Sequence, residues 1–391
     1  MLRLLKPYIY LSFIAAFLAM ACNKPAPVTP GNHPDSTGTT TPDTSTSTAN
    51  IYVLGTVAED TLILWRKGVP TILAIGSNHL AAYGAGMVLV DTNLYYAGGV
   101  GLTDTLGTAS YWINGQKFPL QLSSGAVGCS ATGIYVSGAD VYVSGMMHFW
   151  DPPSVPFTPR WGFTACYWKN GQPTLLPDWA DRVDYFGYFQ MVGADYTTGI
   201  YVSGNDVYVA GGEEYPINHG WPDHFTGFWK NGQFTDLPNY VSDTVLTNMV
   251  SRPNTGSIAM VGNNLYISGY QYEFGTAYPT GIYWVNGKLD SVSPSQGEII
   301  YSLQSVGSDI YMTSTHFQNG QWHAAYWKNG NLNLVDSSIY STAAYSIFVS
   351  GNDIYVSGYK SINGFADPVY WKNGVETHLG FDGTAFAIVV R

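Results

Sequence analysis

Residues 350–374 read SGNDIYVSGYKSINGFADPVYWKNG, and this stretch decides the fold. It holds two short β-type runs, with the turn Gly351-Asn352-Asp353 before the first and Asn373-Gly374 after the second. Side chains that alternate with a period of two are typical of strands. Asn-Gly between such runs is a strong hairpin signal, because a type I′ turn needs positive φ at both positions. The stretch therefore predicts antiparallel strands joined by tight turns.

The same unit occurs seven times along the chain, at intervals of 43 to 61 residues. The tryptophan near the end of its third strand marks each copy: Trp65, Trp112, Trp168, Trp229, Trp284, Trp327 and Trp371. Repeats of this length with four strands each, which we label a to d, are typical of β-propeller blades. We predict an all-β, seven-bladed propeller with four-stranded antiparallel blades, in which the repeated tryptophan packs between blades.

The two ends of the repeat array predict how the ring closes. The first copy begins at strand b, with residues 51–53, and residues 385–390 match strand a. We therefore expect the C-terminal strand to complete the first blade, which leaves no open edge.

The turn aspartates, such as Asp206 and Asp353, resemble catalytic or metal-binding carboxylates if each is considered without the other copies of the repeat. Their constant position in the a–b turn predicts a capping role.

Residues 1–21 have the features of an export signal, with Arg3 and Lys6 before an apolar run and small residues at the end. Cys22 follows Ala-Met-Ala, a context that resembles the lipobox of bacterial lipoproteins. The resemblance implies cleavage before Cys22 and acylation of its thiol, and simple secretion is the alternative. Residues 22–50 are rich in Pro, Thr and Ser and predict a disordered tether, whereas residues 51–391 form the propeller.

The sequence has 16 Lys and Arg against 27 Asp and Glu. Two of the basic residues lie in the signal, so the mature chain has 14 and a formal charge of −13. This balance disfavours nucleic acid or anionic lipid as a partner and leaves the lipid anchor as the only membrane attachment. Cys129 and Cys166 lie in apolar β-type context, where we expect buried free thiols rather than a disulfide.

The unit Ala324-Ala325-Tyr326-Trp327-Lys328-Asn329-Gly330 resembles the extracellular HAF repeat of bacterial proteins, with Tyr in place of the His-Ala-Phe that names it. Ala-Gly-Gly at 97–99 and 210–212 is loosely similar to kelch blades. The resemblance implies an exported propeller on the bacterial envelope, with the outer membrane as the expected location, and no settled activity.

The longest insertions fall on one face of the predicted disc, in the b–c loops of blades three to five and the d–a connection after blade three. Aromatic rings beside carboxylates and amides suit the apolar faces and hydroxyl rims of sugars. The candidate ligand-binding residues are Trp150, Trp161, Trp179, Tyr185, Glu213, Tyr215, His219, Trp221, Asp223 and His224. The alternative is that these aromatics pack on each other as a small satellite core.

His219, Asp223 and His224 also invite a metal interpretation, but Pro216 and Pro222 exclude a helical histidine pair, and we expect no metal and no cofactor. The sequence lacks a G-x-S-x-G elbow, an H-E-x-x-H motif and a P-loop. We expect a monomeric glycan-binding protein without catalytic activity. A protein-interaction scaffold or adhesin is the first alternative, and a polysaccharide hydrolase or lyase is the second.

Overall fold

A computed structural model describes residues 49–58, 60–76, 82–100, 107–151, 160–176, 194–216, 222–238, 254–271, 278–291, 297–380 and 382–391. Within these ranges the regular structure consists of 28 strands, which form seven blades of four strands each. The seven-bladed propeller predicted from the repeat is confirmed. No helical segment of the described residues has the length and apolarity that a membrane span requires.

The strands of each blade follow the order a, b, c, d from the centre of the ring to its rim. Blade 1 contains β28 (Gly383–Val390), β1 (Ile51–Val57), β2 (Thr61–Arg66) and β3 (Val69–Ile75). Blade 2 contains β4 (Ala82–Val90), β5 (Asn93–Val100), β6 (Thr108–Ile113) and β7 (Gln116–Pro119). Blade 3 contains β8 (Ala126–Ser137), β9 (Asp140–Asp151), β10 (Arg160–Lys169) and β11 (Gln172–Leu175). Blade 4 contains β12 (Ala194–Ser203), β13 (Asp206–Pro216), β14 (Pro222–Lys230) and β15 (Gln233–Asp236).

The remaining three blades repeat this order. Blade 5 contains β16 (Asn254–Val261), β17 (Asn264–Gln271), β18 (Thr280–Val285) and β19 (Lys288–Ser291). Blade 6 contains β20 (Glu298–Val306), β21 (Asp309–Gln318), β22 (Gln321–Lys328) and β23 (Asn331–Leu334). Blade 7 contains β24 (Thr342–Ser350), β25 (Asp353–Ile362), β26 (Phe365–Lys372) and β27 (Val375–His378).

The ring is closed by the C-terminal strand, as predicted. β28 pairs antiparallel with β1, from Ile51 opposite Val390 to Val57 opposite Gly383. The innermost strands then contact one another in an unbroken circle, from β28 to β4 and onward through β8, β12, β16, β20 and β24 back to β28. Closure of this kind pairs the inner edge of β1, which would otherwise be open to association.

The repeated tryptophans form the core between blades. All seven are buried, with exposures of 0 to 7% of their surface. Burying an aromatic side chain contributes about 1.5–3 kcal/mol relative to leaving it exposed, so this one position is a large part of the stability of every blade. The prediction that the tryptophan is structural is confirmed.

The side of the ring that carries the a–b and c–d turns, which we call the turn face, explains the remaining repeated residues. In blade 7, Asn373 and Gly374 have φ values of 51° and 81°, as a type I′ turn requires. Asn373 Oδ1 accepts the backbone N–H of Ile354, and its Nδ2 donates to Asp353 Oδ1 across 2.7 Å. Lys372 Nζ completes the group, 3.2 Å from Asp353 Oδ2.

The same pairing of the two turns recurs in blades 3, 4 and 6 through Asp140, Asp206 and Asp309. Each of these aspartates also contacts a lysine, and its hydrogen bonds with that lysine and an asparagine lower its pKa. These carboxylates therefore hold the a–b turn to the c–d turn, a structural role that differs from the capping of their own turn predicted from the repeat.

Candidate binding site on the hairpin face

The opposite side of the ring, which we call the hairpin face, carries the b–c hairpins and the d–a connections. The structure corrects one expectation here. The insertions of blades 3 and 4 that we predicted as loops are partly long hairpins, because β9 pairs with β10 as far as Asp151 and Arg160, and β13 pairs with β14 as far as Pro216 and Pro222. Aromatic segments favour strands, and the prolines lie at the ends of the ladder, where they are tolerated.

The predicted site residues divide into two groups. Six lie at register positions of these hairpins: Trp150, Trp161, Glu213, Tyr215, Asp223 and His224. Trp150 pairs with Trp161, and Tyr215 pairs with Asp223. Four lie outside the described residues: Trp179, Tyr185, His219 and Trp221. Cys22, the predicted lipidation site, also lies outside them.

A row of polar residues crosses the hairpin end of blades 4 to 7. The residue that strand b contributes is the fifth one after the first tyrosine of that strand. In blades 4 to 7 these residues are Glu213, Gln271, His316 and Lys360. Blades 1 to 3 have Val57, Val100 and Met147 at this position. The partners on strands a and c in blades 4 to 7 include the buried residues Asp195, Thr280, Glu298, His323, Thr342 and Asp367. We call this row the polar rung.

Blade 6 has the most connected part of the polar rung. Glu298 is 1% exposed and lies between strands b and c of its own blade and the neighbouring blade 5. Its Oε1 accepts the indole N–H of Trp327 at 2.7 Å, and its Oε2 lies 2.6 Å from His316 Nδ1. A Cβ on Gly281 of blade 5 would lie 2.8 Å from Glu298 Cγ, so this close approach requires glycine. A buried carboxylate with both oxygens engaged is rigidly held.

Three aromatic rings from two blades meet at the hairpin end of blades 5 and 6. Tyr278 from blade 5 stacks on Phe317 from blade 6, with ring centroids 4.1 Å apart, and Trp322 packs edge-on against Phe317 at 5.1 Å. All three rings are only partly buried. Phe317 and Trp322 lie next in sequence to His316 and His323, which face each other across the hairpin. We call Tyr278, Phe317 and Trp322 the aromatic trio.

Tyrosines also gather on the innermost strands of blades 6, 7 and 1. Strand a of each blade contains a bulge, and the extra residue is Tyr301 in blade 6, Tyr345 in blade 7 and Phe386 in blade 1. The ring of Tyr345 lies 4.8 Å from Tyr301, 6.0 Å from Tyr359 and 6.1 Å from Phe386. Burial raises the pKa of Tyr359 to about 12. These hydroxyls therefore remain protonated and can donate hydrogen bonds at physiological pH.

An ion-pair network occupies the polar rung of blade 7. Lys360 Nζ lies 2.9 Å from Glu376 Oε2 and 3.7 Å from Asp336 Oδ2, and His378 Nε2 lies 2.7 Å from Glu376 Oε1. Burial opposes ionisation of Glu376, but hydrogen bonds from His378 and Lys360 outweigh it and lower the pKa to about 2. Burial raises the pKa of Asp367. The carboxylates that converge here are engaged by cations, which favours a structural role for this group.

Other parts of the described structure are less suited to a ligand. A cavity of about 320 Å³ between blades 2 and 3 is lined mainly by small and apolar residues, with Lys117 at its edge. Among the described residues, no group of three or more His, Cys, Asp or Glu is placed to hold a metal ion. The polar rung and aromatic trio of blades 5 and 6 therefore form the candidate site. The candidate residues named from the sequence did not include Glu298, His316 or Trp322. The fifth-residue pattern of strand b could have revealed His316.

Comparisons with known proteins give a fold-level likeness only. No family model matches the sequence, and no curated protein matches it. A puromycin-hydrolysing peptidase of Mycobacterium tuberculosis is similar over 85% of this chain, with 13% identity and a TM-score of 0.43. This chain spans about half of that protein, 53% of its length.

Two further structures resemble the ring. The β-propeller domain of the Trilobed protease from Pyrococcus furiosus is similar over 76% of this chain and 97% of its own, with 9% identity and a TM-score of 0.37. A GH32 β-fructofuranosidase of Bombyx mori in complex with sucrose is similar over 78% of this chain and 79% of its own, with 10% identity and a TM-score of 0.35. These likenesses are low, and the seven-bladed architecture rests on the strand pairing described above.

Proposed function

We propose that this protein is a lipid-anchored, extracytoplasmic propeller of the bacterial envelope that binds glycan on its hairpin face. The observation that carries the proposal is the partly exposed aromatic trio of blades 5 and 6, two of whose rings follow the His316–His323 pair at the end of the hairpin. Sugars present apolar C–H faces to aromatic rings and hydroxyls to polar side chains, and this arrangement provides both.

Three further features support the proposal. The hairpins of blades 3 and 4 bring Trp150 opposite Trp161 and Tyr215 opposite Asp223 on the same face. The protonated tyrosines near the centre add hydroxyl donors. The acidic composition disfavours polyanionic ligands, so a neutral glycan fits better than a polyanionic one.

The proposed cellular location rests on the sequence. The charged start, apolar run and Ala-Met-Ala-Cys context of residues 1–22 support export and acylation at Cys22. Metabolic labelling with an alkyne-bearing fatty acid tests the anchor. Label should enter the wild-type protein and not a Cys22→Ser variant, and equal labelling of both would contradict lipidation at this residue.

The glycan proposal is tested by calorimetric titration with cellohexaose, xylohexaose, mannohexaose and N-acetylchitohexaose. We expect at least one to bind, and a Tyr278→Ala/Trp322→Ala double variant to lose about tenfold or more in affinity. The matched control is Phe118→Ala, which removes a ring from another stacked pair, with Tyr111, on the outermost strand of blade 2. Failure of every probe to bind, or equal loss in the control, would overturn the proposal. Release of new reducing ends from a bound probe would instead indicate a hydrolase.

A specific observation favours protein binding as a second candidate function. The outermost strand of blade 1, β3, has seven residues where the other outermost strands have four, and it carries no charge. Val69, Ile72 and Ile75 on it are 66, 59 and 61% exposed. Long uncharged edges can pair with strands of other proteins. An Ile72→Lys variant should then lose the partner that cross-linking in intact cells recovers with the wild-type protein, and unchanged recovery would contradict it.

A further inference from the structure

We infer that His316 binds a hydroxyl group of the ligand through its Nε2 atom, and that Glu298 is the positioning residue that makes this nitrogen a hydrogen-bond acceptor. The inference rests on the proposed glycan function and identifies the polar half of that site. It assigns the ligand class as a hydroxyl-bearing glycan, one hydroxyl of which donates to His316 Nε2.

The first step is the environment of Glu298. Its carboxylate accepts a hydrogen bond from Trp327 Nε1 at 2.7 Å and lies 2.6 Å from His316 Nδ1. The blade 5 backbone at Gly281 packs against its side chain, so the carboxylate has little freedom to turn away. The orientation of the His316 ring is thereby held by Glu298, whose own side chain is held in place.

The second step is the chemistry of the imidazole ring. In the arrangement we infer, the Glu298 carboxylate acts only as an acceptor, so His316 Nδ1 carries the hydrogen and donates it. In the neutral ring the other nitrogen, Nε2, then has a lone pair and acts as an acceptor. Nε2 makes no hydrogen bond to any described residue, and the side chain is 16% exposed. Hydroxyl and N–H groups of a ligand are the donors that such an atom recognises.

The third step is that the indole N–H of the repeated tryptophan does not need a carboxylate as its hydrogen-bond partner. The equivalent tryptophans of blades 3 and 5, Trp168 and Trp284, donate their indole N–H groups to backbone carbonyl oxygens, at 2.7 and 2.9 Å. A tryptophan partner at this position therefore needs no buried charge, which is costly to desolvate. The additional bond that Glu298 makes, to His316, is what distinguishes blade 6.

The fourth step is the neighbouring histidine. His323 lies directly opposite His316 in the hairpin, is 9% exposed, and its buried Nδ1 has no hydrogen-bond partner among the described residues. Phe317 and Trp322 form the next pair of the same ladder toward the hairpin end, so polar and aromatic side chains occupy successive positions of these two strands. A glycan chain carries both hydroxyls and C–H faces and can contact groups of both kinds.

The binding half of the inference is tested with the four hexasaccharides above. We expect His316→Phe, which keeps the ring size and removes both nitrogens, to weaken the bound probe by about tenfold or more while leaving the aromatic trio in place. The matched control is His378→Phe in blade 7, because His378 also contacts a glutamate, at 2.7 Å, on the same face. The control should bind as the wild type does. If His316→Phe does not fold, His316→Gln replaces it.

The positioning half is tested by ¹⁵N NMR of histidine-labelled protein. We expect the wild type to show His316 with its hydrogen on Nδ1, and Glu298→Gln, which keeps the size of the side chain, to shift the hydrogen toward Nε2 and weaken the probe. A role of Glu298 in folding alone would change the melting temperature without changing this tautomer.

The outcomes separate the two proposals. If the aromatic double variant loses binding and His316→Phe does not, the glycan site stands and the role of His316 is overturned. If His316 carries its hydrogen on Nε2 in the wild type, the role of Glu298 is overturned. If no probe binds the wild-type protein, the proposed function fails and the ligand role of His316 fails with it.

Discussion

The indole N–H of Trp327 donates to Glu298 Oε1 across 2.7 Å, whereas the indole of Trp371, at the same position in the next blade, has no hydrogen-bond partner in the part of the chain that the structure describes. In Trp168 and Trp284 the same group donates to the backbone. One repeated residue thus meets three polar environments while its ring packs in the same way. The repeat determines that the ring is buried, whereas the hydrogen-bond partner of its N–H group differs from blade to blade.

This difference predicts unequal costs for one substitution. Trp168→Phe should lower the free energy of unfolding by about 0.5–1.5 kcal/mol more than Trp371→Phe, because it removes the indole hydrogen bond to the backbone oxygen of Gln121. Both substitutions remove a similar ring area, so Trp371→Phe is the control. Urea denaturation followed by circular dichroism measures the difference, and equal losses would show that the indole hydrogen bond contributes nothing.

Removal of β28 should prevent a stable blade 1. Its residues Ala385, Ile388 and Val390 pack in the core with Val53 and Trp65, and its backbone pairs along the whole of β1. A chain that ends at residue 382 should unfold at a temperature at least about 10 °C lower, or aggregate through the exposed edge of β1. Adding the peptide 383–391 in trans should restore part of the loss. A truncated chain with an unchanged melting temperature would contradict closure by β28.

The Glu376 network predicts acid sensitivity in blade 7. Hydrogen bonds from His378 and Lys360, which outweigh burial, lower the pKa of Glu376 from 4.5 to about 2. Since the pKa is lower in the folded protein, the stabilisation is present above pH 4.5 and is lost as the pH falls toward 2. Glu376→Gln should therefore cost on the order of 2–3 kcal/mol at pH 7 and much less at pH 2.5.

In the same network, the contribution of His378 to stability has the opposite pH dependence. Its hydrogen bond with Glu376 raises its pKa, so its contribution is complete below its ordinary value near 6.5 and is lost as the pH rises through the raised value. His378→Asn should consequently lose more stability at pH 5.5 than at pH 9. Denaturation curves across this range give the slopes, and parallel curves for wild type and both variants would refute the coupling.

The two cysteines should be unreactive in the folded protein. Cys129 and Cys166 are free and buried, and burial raises the pKa of both thiols. Iodoacetamide should modify neither residue at pH 8 within an hour and both after denaturation in guanidinium chloride. Mass spectrometry of a Cys22→Ser chain reads the result. Rapid labelling of the native protein would contradict the packing of blades 2 and 3.

The repeat was sufficient to predict the ring, because each of its residues acts within one blade. Asn373 and Gly374 predict their own turn, and Trp371 its own burial, from contacts that a local pattern encodes. The phase of residues 51–53 and 385–390 was enough to predict closure. The lengths of β9 and β13 were not predicted, because the extent of a ladder depends on which residues of both strands pair. Pro216 marks the end of β13 but does not indicate that β14 begins at Pro222.

The candidate site was only partly predictable for a related reason. Glu298 precedes its blade's turn and His316 follows it, and they meet only because the register of β20 and β21 places them opposite each other. Tyr278 reaches Phe317 from another blade, a contact that depends on how blades 5 and 6 stack. Such relationships belong to register and packing, which the spacing of residues along the chain does not record.

The pairing of β28 with β1 has a consequence for the order of events during synthesis. β1 is among the first strands of the ring to be made, and its inner partner is the last, so blade 1 lacks its fourth strand until the other six blades have been translated. Because contacts between such distant segments form slowly, ring closure is expected to be the late step of folding. Until then a nascent chain would carry an unpaired apolar edge and depend on chaperones to shield it.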